Sequence, residues 1–118
     1  MIICLVWLIL FQAAEVAAQP KGNPKAGLDL YVEKCMLCHG SQGEGWDWSK
    51  KVTRPPVPVP NLAKEVPGRS DQFLFDIIKA GGEAVGKTRF MPAFGFQASD
   101  QEIWDLVEYL RSLAEIPK

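Results

Sequence analysis

Three residues in the first half of the chain have the types and the spacing to bind a cofactor. Cys35 and Cys38 belong to a Cys-x-x-Cys-His sequence that ends at His39. In a helix, residues three and four apart share one face, so both thiols and the imidazole can meet one flat molecule. This spacing is typical of covalent haem c attachment, in which the thiols form thioethers with the porphyrin and the imidazole binds the iron.

Other interpretations of the motif fit the rest of the sequence less well. A redox dithiol is expected beside a strand, but the residues before Cys35 have a helical pattern. A structural zinc site needs four Cys or His ligands, and the one further candidate is Cys4, near the start of the chain. A chance match would leave the single histidine and two of the three cysteines clustered without purpose. The motif occurs once, so we predict one haem c, with its iron, as the cofactor.

The iron needs either a second protein ligand or an open coordination position. Apart from His39 the chain has no histidine, and its methionines are Met1, Met36 and Met91. Met1 lies in the amino-terminal segment, and Met36 lies inside the attachment motif, where it cannot reach the opposite face of the haem. Elimination therefore leaves Met91 as the predicted second ligand.

The residues around Met91 suit this role. Pro92 favours an extended backbone at Met91, and Phe90 and Phe94 are expected to keep water away from a weak thioether bond. The alternative is a methionine that fills a gap in the core. A His/Met iron has no open position, so the predicted site favours electron transfer over catalysis.

Composition and hydropathy predict an amino-terminal secretory segment followed by one domain. The chain has 118 residues and a formal net charge of -1, which does not suggest nucleic-acid binding. Residues 2–14 are mostly apolar, and small residues follow at 16 and 18, so we predict a secretory signal peptide over residues 1–18 and a single domain over 19–118. The expected location is periplasmic or secreted. The alternative is a short membrane anchor, although the run is shorter than the ~20 apolar residues of a spanning helix, and membrane association requires that residues 2–18 are retained.

Capping residues and apolar stripes predict three helices and no strand. The helix starts are marked by Asn23 with Pro24, by Ser70, and by the capping box of Ser99 to Glu102; the ends are marked by Gly40, Gly81 with Gly82, and Pro117. The positions predicted to face the interior are Leu28, Tyr31, Val32 and Cys35 in the first helix, Phe73, Leu74, Ile77 and Ile78 in the second, and Ile103, Leu106, Val107, Leu110 and Leu113 in the last.

A long loop over residues 41–69 separates the first two predicted helices. Glycine and proline recur throughout it, and loops of this length in a compact domain are usually functional or disordered. Wrapping a cofactor would account for it. Residues 55–60, Pro-Pro-Val-Pro-Val-Pro, are expected to be stiff and to pack along the haem, with a proline-motif ligand for a partner domain as the alternative.

Three motifs extend the pattern over most of the chain: Gly27-x-x-x-Tyr31-x-x-x-Cys35-x-x-Cys38-His39-Gly40, Met91-Pro92-Ala93-Phe94, and Ser99-Asp100-x-Glu102-Ile103 with Leu110. With them the chain resembles the class I monohaem c-type cytochromes of bacteria from about residue 25 to residue 113. The resemblance implies an all-α, cytochrome c-like fold of about three main helices and long loops wrapped around a covalent haem. It also implies that Gly27 and Tyr31 cross the last helix near Tyr109. A proline carbonyl, of Pro60 or Pro58, would accept the ring N–H of His39.

The expected function is one-electron transfer between redox protein partners, without substrate turnover of the chain's own. Basic residues are expected to form a docking rim, and acidic residues would line the last helix. The rim comprises Lys50, Lys51, Arg54, Lys87 and Arg89, and the acidic residues are Asp100, Glu102, Asp105 and Glu108. The alternative is a haem c electron-transfer subunit of a larger periplasmic dehydrogenase or reductase complex. A sensor or peroxidase would need an open iron position.

Overall fold

The computed structural model describes residues 18–46 and 56–115. The predicted signal peptide, apart from residue 18, and the basic residues 50, 51 and 54 lie outside these ranges. The described residues form five helices, α1 (Pro24–Lys34), α2 (Met36–His39), α3 (Leu62–Glu65), α4 (Asp71–Ala80) and α5 (Asp100–Glu115), with 3-10 turns at Val66–Gly68 and Glu83–Val85. They contain no strand, and the predicted all-α class is confirmed.

The first helix begins as predicted but is interrupted before His39. Asn23 caps it by accepting the N–H of Lys25 at 3.0 Å. At Cys35 the backbone dihedral angles are φ -115° and ψ -35°, which depart from those of a regular α-helix. The N–H of Cys35 still donates to the Tyr31 carbonyl at 2.9 Å. The single predicted helix over 24–39 is therefore two helices, with α2 presenting the end of the attachment motif after a bend.

The crossing of α1 and α5 depends on a glycine. A Cβ on Gly27 would lie 2.0 Å from the carbonyl oxygen of Asp105, so no side chain fits there without moving a backbone. One turn further along α1, the ring of Tyr31 packs against Tyr109 with centroids 5.1 Å apart. Tyr31 thus lies where the resemblance implied, whereas Gly27 meets α5 at Asp105, one turn before Tyr109.

The predicted apolar stripe is correct for α5 and only partly correct for α1. All five predicted positions of α5 are buried. In α1, Tyr31 and Cys35 are buried, but Leu28 and Val32 are 39% and 49% exposed. That prediction was wrong because the face with Gly27 is the one that approaches α5, and this turns Leu28 and Val32 towards the outside.

The second predicted helix matches α4. Ser70 caps its start, because the Ser70 hydroxyl accepts the N–H of Phe73 at 3.1 Å. Leu74 and Ile78 are buried as predicted, whereas Phe73 and Ile77 are only partly buried. Phe75 lay outside the predicted stripe, yet it is buried and stacks on Trp104 with ring centroids 4.4 Å apart.

The stretch predicted as one long loop contains an ordered turn that α5 holds in place. Helix α3 is only four residues long and is capped by Asn61, which accepts the N–H of Lys64. The guanidinium of Arg111 donates to the carbonyls of Val66 and Arg69 and pairs with Asp71. A helix of one turn has no apolar repeat, so the periodicity of the sequence could not reveal it.

One residue of the predicted acidic face belongs to the interior instead. Asp105 is 8% exposed, and its carboxylate accepts the backbone N–H of Asn23 at 2.7 Å and the side-chain amide of Gln101 at 3.0 Å. It therefore joins α5 to the start of α1. Among the described residues, no helix is long and apolar enough to cross a membrane.

Candidate haem site

A cavity of about 410 Å³ lies among the helices. Three of the four predicted site residues line it, namely Cys35, His39 and Met91. Its volume falls in the range of ligand-binding cavities, and most of its walls are apolar. The lining residues on the attachment side include Tyr31, Cys35, His39, Pro58 and Pro60; α4 and α5 supply Phe73, Leu74, Ile77, Ile78, Leu106 and Leu110; Lys87, Thr88 and Met91 come from the segment after α4.

The attachment motif contributes two side chains to this cavity. Cys35 is buried, and its burial, reinforced by the neighbouring Cys38, raises the pKa of the free thiol to about 12. His39 also lines the cavity, and burial lowers the pKa of its imidazole, which favours the neutral form that binds metals. Cys38 is exposed and is not among the lining residues.

The predicted hydrogen bond from His39 to a proline carbonyl is not formed. Nδ1 of His39 is buried and has no hydrogen-bond partner, although Pro58 and Pro60 line the same cavity. The chain before Pro60 is instead packed against Gly45, where a Cβ would lie 2.7 Å from the carbonyl oxygen of Val59. Pro58 and Pro60 therefore line the cavity, as predicted for a segment that packs along a haem. Neither proline carbonyl accepts a hydrogen bond from Nδ1 of His39.

Two glycines place Met91 at the cavity. The N–H of Gly82 donates to the Met91 carbonyl at 2.9 Å, and a Cβ on Gly82 would lie 2.2 Å from the carbonyl oxygen of Thr88. Gly81 has a φ of +86°, a conformation that favours glycine. The Gly-Gly pair was predicted only to end α4, and its role in packing the methionine segment was missed because it depends on a close approach of two backbone segments.

The two phenylalanines beside Met91 are not among the residues that line the cavity. Phe90 is 51% exposed and lies under the guanidinium of Arg89, with 5.5 Å between the guanidinium carbon and the ring centre. Phe94 packs against the core, and its N–H bonds to the Ile78 carbonyl at 2.9 Å. Neither ring lines the cavity, whose apolar walls come largely from α4 and α5, so shielding of Met91 by the two rings stays a prediction.

The residues at the cavity fit a haem c. Apolar walls suit the macrocycle, a buried thiol is present for thioether formation, and the imidazole of His39 is not used in the protein's own hydrogen bonds. Haem iron, when bound, supplies a one-electron redox couple. The described residues provide the enclosure, the attachment point and two candidate iron ligands.

An all-helical fold in which a Cys-x-x-Cys-His motif borders an apolar cavity is typical of c-type cytochrome domains. The model of a protein family described as "Cytochrome C oxidase, cbb3-type, subunit III" matches residues 22–110, and the chain belongs to this family of c-type cytochromes. The predicted resemblance to monohaem c-type cytochromes is thereby confirmed, and membership implies haem c, with its iron, and haem-based electron transfer. No curated protein matched the sequence.

Proposed function

We propose that the chain is a one-electron carrier with a single haem c, attached through Cys35 and Cys38 and ligated by His39 and Met91. The observation that supports this proposal best is that Cys35, His39 and Met91 line one apolar cavity, although they come from distant parts of the sequence. The chain then performs no substrate turnover of its own, because an iron with two protein ligands offers no open position to a substrate.

The surroundings of the two ligands suit repeated electron transfer. His39 ends α2, and the N–H of Gly45 donates to its carbonyl at 2.8 Å. The Met91 carbonyl is held by Gly82, and the Met91 N–H is directed at the Thr88 carbonyl. Backbone bonds on both sides fix the ligand positions, so the site needs little rearrangement when its charge changes.

Replacing Met91 tests the ligand assignment. We expect Met91→Ala to abolish the sulfur-to-iron charge-transfer band of the ferric protein and to lower the reduction potential, because the thioether stabilises the ferrous form. The matched control is Met36→Leu, since Met36 packs against the core but does not line the cavity. An unchanged band in Met91→Ala, or its loss in Met36→Leu alone, would refute ligation by Met91.

We further propose that residues 1–18 direct export, that the domain works in the periplasm or is secreted, and that its partners are redox proteins rather than nucleic acids. The apolar run over residues 2–14 and the haem c chemistry support this placement, and a formal net charge of -1 does not suggest a nucleic-acid partner. The mass of the protein purified from periplasmic and membrane fractions would show both the cleavage site and the mass added by covalent haem. A haem that is removed by acid extraction would contradict attachment through the two cysteines.

A second candidate is an electron-transfer subunit of a larger oxidase, dehydrogenase or reductase. The description of the matching family, which names an oxidase subunit, favours it. Large apolar side chains at the surface would suit a permanent contact, since Phe96 is 96% exposed and Leu37 is 77% exposed. Purification of the native protein separates the candidates: a free carrier elutes as a monomer, whereas a subunit elutes with its partner.

A further inference from the structure

Residues 19–23 precede α1 and pack against α5. A Cβ on Gly22 would lie 2.2 Å from the carbonyl oxygen of Trp104, so the backbone here lies directly on that helix. The side-chain amide of Gln101 donates to the Lys21 carbonyl at 3.4 Å. The segment before α1 therefore belongs to the folded domain and follows a fixed path along α5.

The side-chain amide of Gln19 lies at one end of a short hydrogen-bond network. Its Nε2 donates to Oε1 of Gln72 at 3.2 Å, and Nε2 of Gln72 donates to the carboxylate of Asp76 at 2.8 Å. Because an ionised carboxylate can only accept, Asp76 turns the amide oxygen of Gln72 towards Gln19. Helix α4, which carries both partners, thus presents an acceptor to the amide nitrogen of Gln19.

Gln19 is also the first residue after the proposed cleavage site. Ala18 and Gln19 are both exposed, so the peptide bond between them is not enclosed by the domain. Cleavage there gives Gln19 a free α-amine, part of which is neutral and nucleophilic at neutral pH. The same residue then holds a nucleophile and, in its side-chain amide, the group that this nucleophile can attack.

We propose that the mature amino terminus is a pyroglutamate formed from Gln19, with Gln72 as the positioning residue. This inference rests on the proposed cleavage after residue 18. The α-nitrogen of Gln19 forms a bond to Cδ of its own side chain, and the bond between Cδ and Nε2 breaks. A proton passes from the α-amine to Nε2, which leaves as ammonia, so the closure of the five-membered lactam needs no oxidant or reductant.

Gln72 favours this reaction because it already accepts a hydrogen bond from the nitrogen that leaves. That nitrogen gains positive charge as it is protonated, and a charged donor bonds more strongly to the Gln72 oxygen. The product has no α-amino charge and no free amine for an aminopeptidase to recognise. Cyclisation would therefore keep residues 19–23 intact on α5.

Mass spectrometry of the exported, haem-loaded protein tests the modification. We expect the mass of residues 19–118 with haem, less one ammonia. The control is Gln19→Ser, whose side chain cannot close the lactam and which should keep a free amine. A wild type that begins at Gln19 with a free amine would overturn the inference and leave the proposed cleavage intact. A different first residue would refute the proposed cleavage instead.

The rate of ammonia loss tests the role of Gln72. The reaction is started in the haem-loaded protein by a protease whose recognition sequence is inserted directly before Gln19. We expect Gln72→Leu to slow cyclisation by about twofold to tenfold, the range expected for the loss of one hydrogen bond. Gln72→Glu keeps an oxygen acceptor and should restore the rate. The matched control is Gln101→Leu, which removes a contact to the Lys21 carbonyl and should react like the wild type. Equal rates in Gln72→Leu and the wild type would overturn positioning by Gln72.

Discussion

Tyr31 connects the first helix to the segment that follows the attachment motif. Its side chain is fully buried, and its hydroxyl donates to the Gly40 carbonyl at 2.6 Å. Burial, with a further contribution from Cys35, raises the pKa of this phenol well above its ordinary value of 10.0. The hydroxyl of Tyr31 therefore fixes the position of Gly40, where the chain leaves α2.

We expect Tyr31→Phe to destabilise the haem-loaded protein by about 1–3 kcal/mol, because the substitution leaves the buried Gly40 carbonyl without this donor. Denaturant unfolding, followed by circular dichroism, measures the free energy of unfolding. Tyr109→Phe is the control and should have a smaller effect, since Tyr109 is only partly buried. Equal losses in the two variants would contradict a special role for the Tyr31 hydroxyl.

The pH dependence provides a second check on Tyr31. The folded pKa of the phenol is raised, so above pH 10 the unfolded chain loses this proton more readily than the folded one, and the free energy of unfolding falls as the pH rises. Tyr31→Phe lacks this contribution. The difference in stability between the wild type and Tyr31→Phe should therefore shrink above about pH 10, and a difference that stays constant would contradict the raised pKa.

At the scale of elements, the arrangement depends on how closely helices and segments approach each other. Gly27 permits the crossing of α1 and α5, and Gly82 permits the approach of the methionine segment to the end of α4. Helix ends are fixed by side chains; for example, the hydroxyl of Ser99 accepts the N–H of Glu102, whose carboxylate accepts the N–H of Ser99 at 2.7 Å. The predicted capping box is confirmed, and hydrogen bonding to Ser99 lowers the pKa of Glu102.

Substitution of Gly27 tests the helix crossing. We expect Gly27→Ala to destabilise the protein by about 1–3 kcal/mol or more, because the new methyl group must displace the α5 backbone at Asp105. Thermal unfolding of the haem-loaded protein measures the effect. The matched control is Gly68→Ala, where a Cβ would meet nothing within 4 Å, and its stability should change little or rise. If both variants unfold at the same temperature, the close crossing is not important for stability.

At the scale of the whole molecule, the core and the candidate site share residues. Tyr31, Leu74, Ile78, Leu106 and Leu110 belong to the hydrophobic core and also line the cavity. Without a cofactor, a cavity of about 410 Å³ lies against these side chains, and cavities in a core lower stability in proportion to their volume. The haem is therefore expected to form part of the core.

This arrangement predicts that the mature chain without haem lacks cooperative unfolding. The double variant Cys35→Ala, Cys38→Ala, prepared without haem, should show a broad thermal transition by circular dichroism, because short helices are marginal without a packed partner. The haem-loaded wild type, measured under the same conditions, is the control. A sharp transition in the haem-free variant would show that the helices form a sufficient core by themselves.

Several features could be predicted from the sequence alone: the attachment residues Cys35 and Cys38, the candidate iron ligands His39 and Met91, the helical class and the buried stripe of α5. These follow from residue spacing, capping chemistry and helical periodicity, which are local properties of the chain. The ligation itself stays a prediction for the variants described above to test.

Which faces and segments meet depends on tertiary contacts. The tertiary structure turned Leu28 and Val32 outwards, buried Asp105, left Phe90 outside the cavity lining and left Nδ1 of His39 without a proline carbonyl. It also brought Arg69 to the cavity wall through Arg111. These features depend on contacts between backbones and side chains far apart in the sequence, and no local pattern specifies such distances.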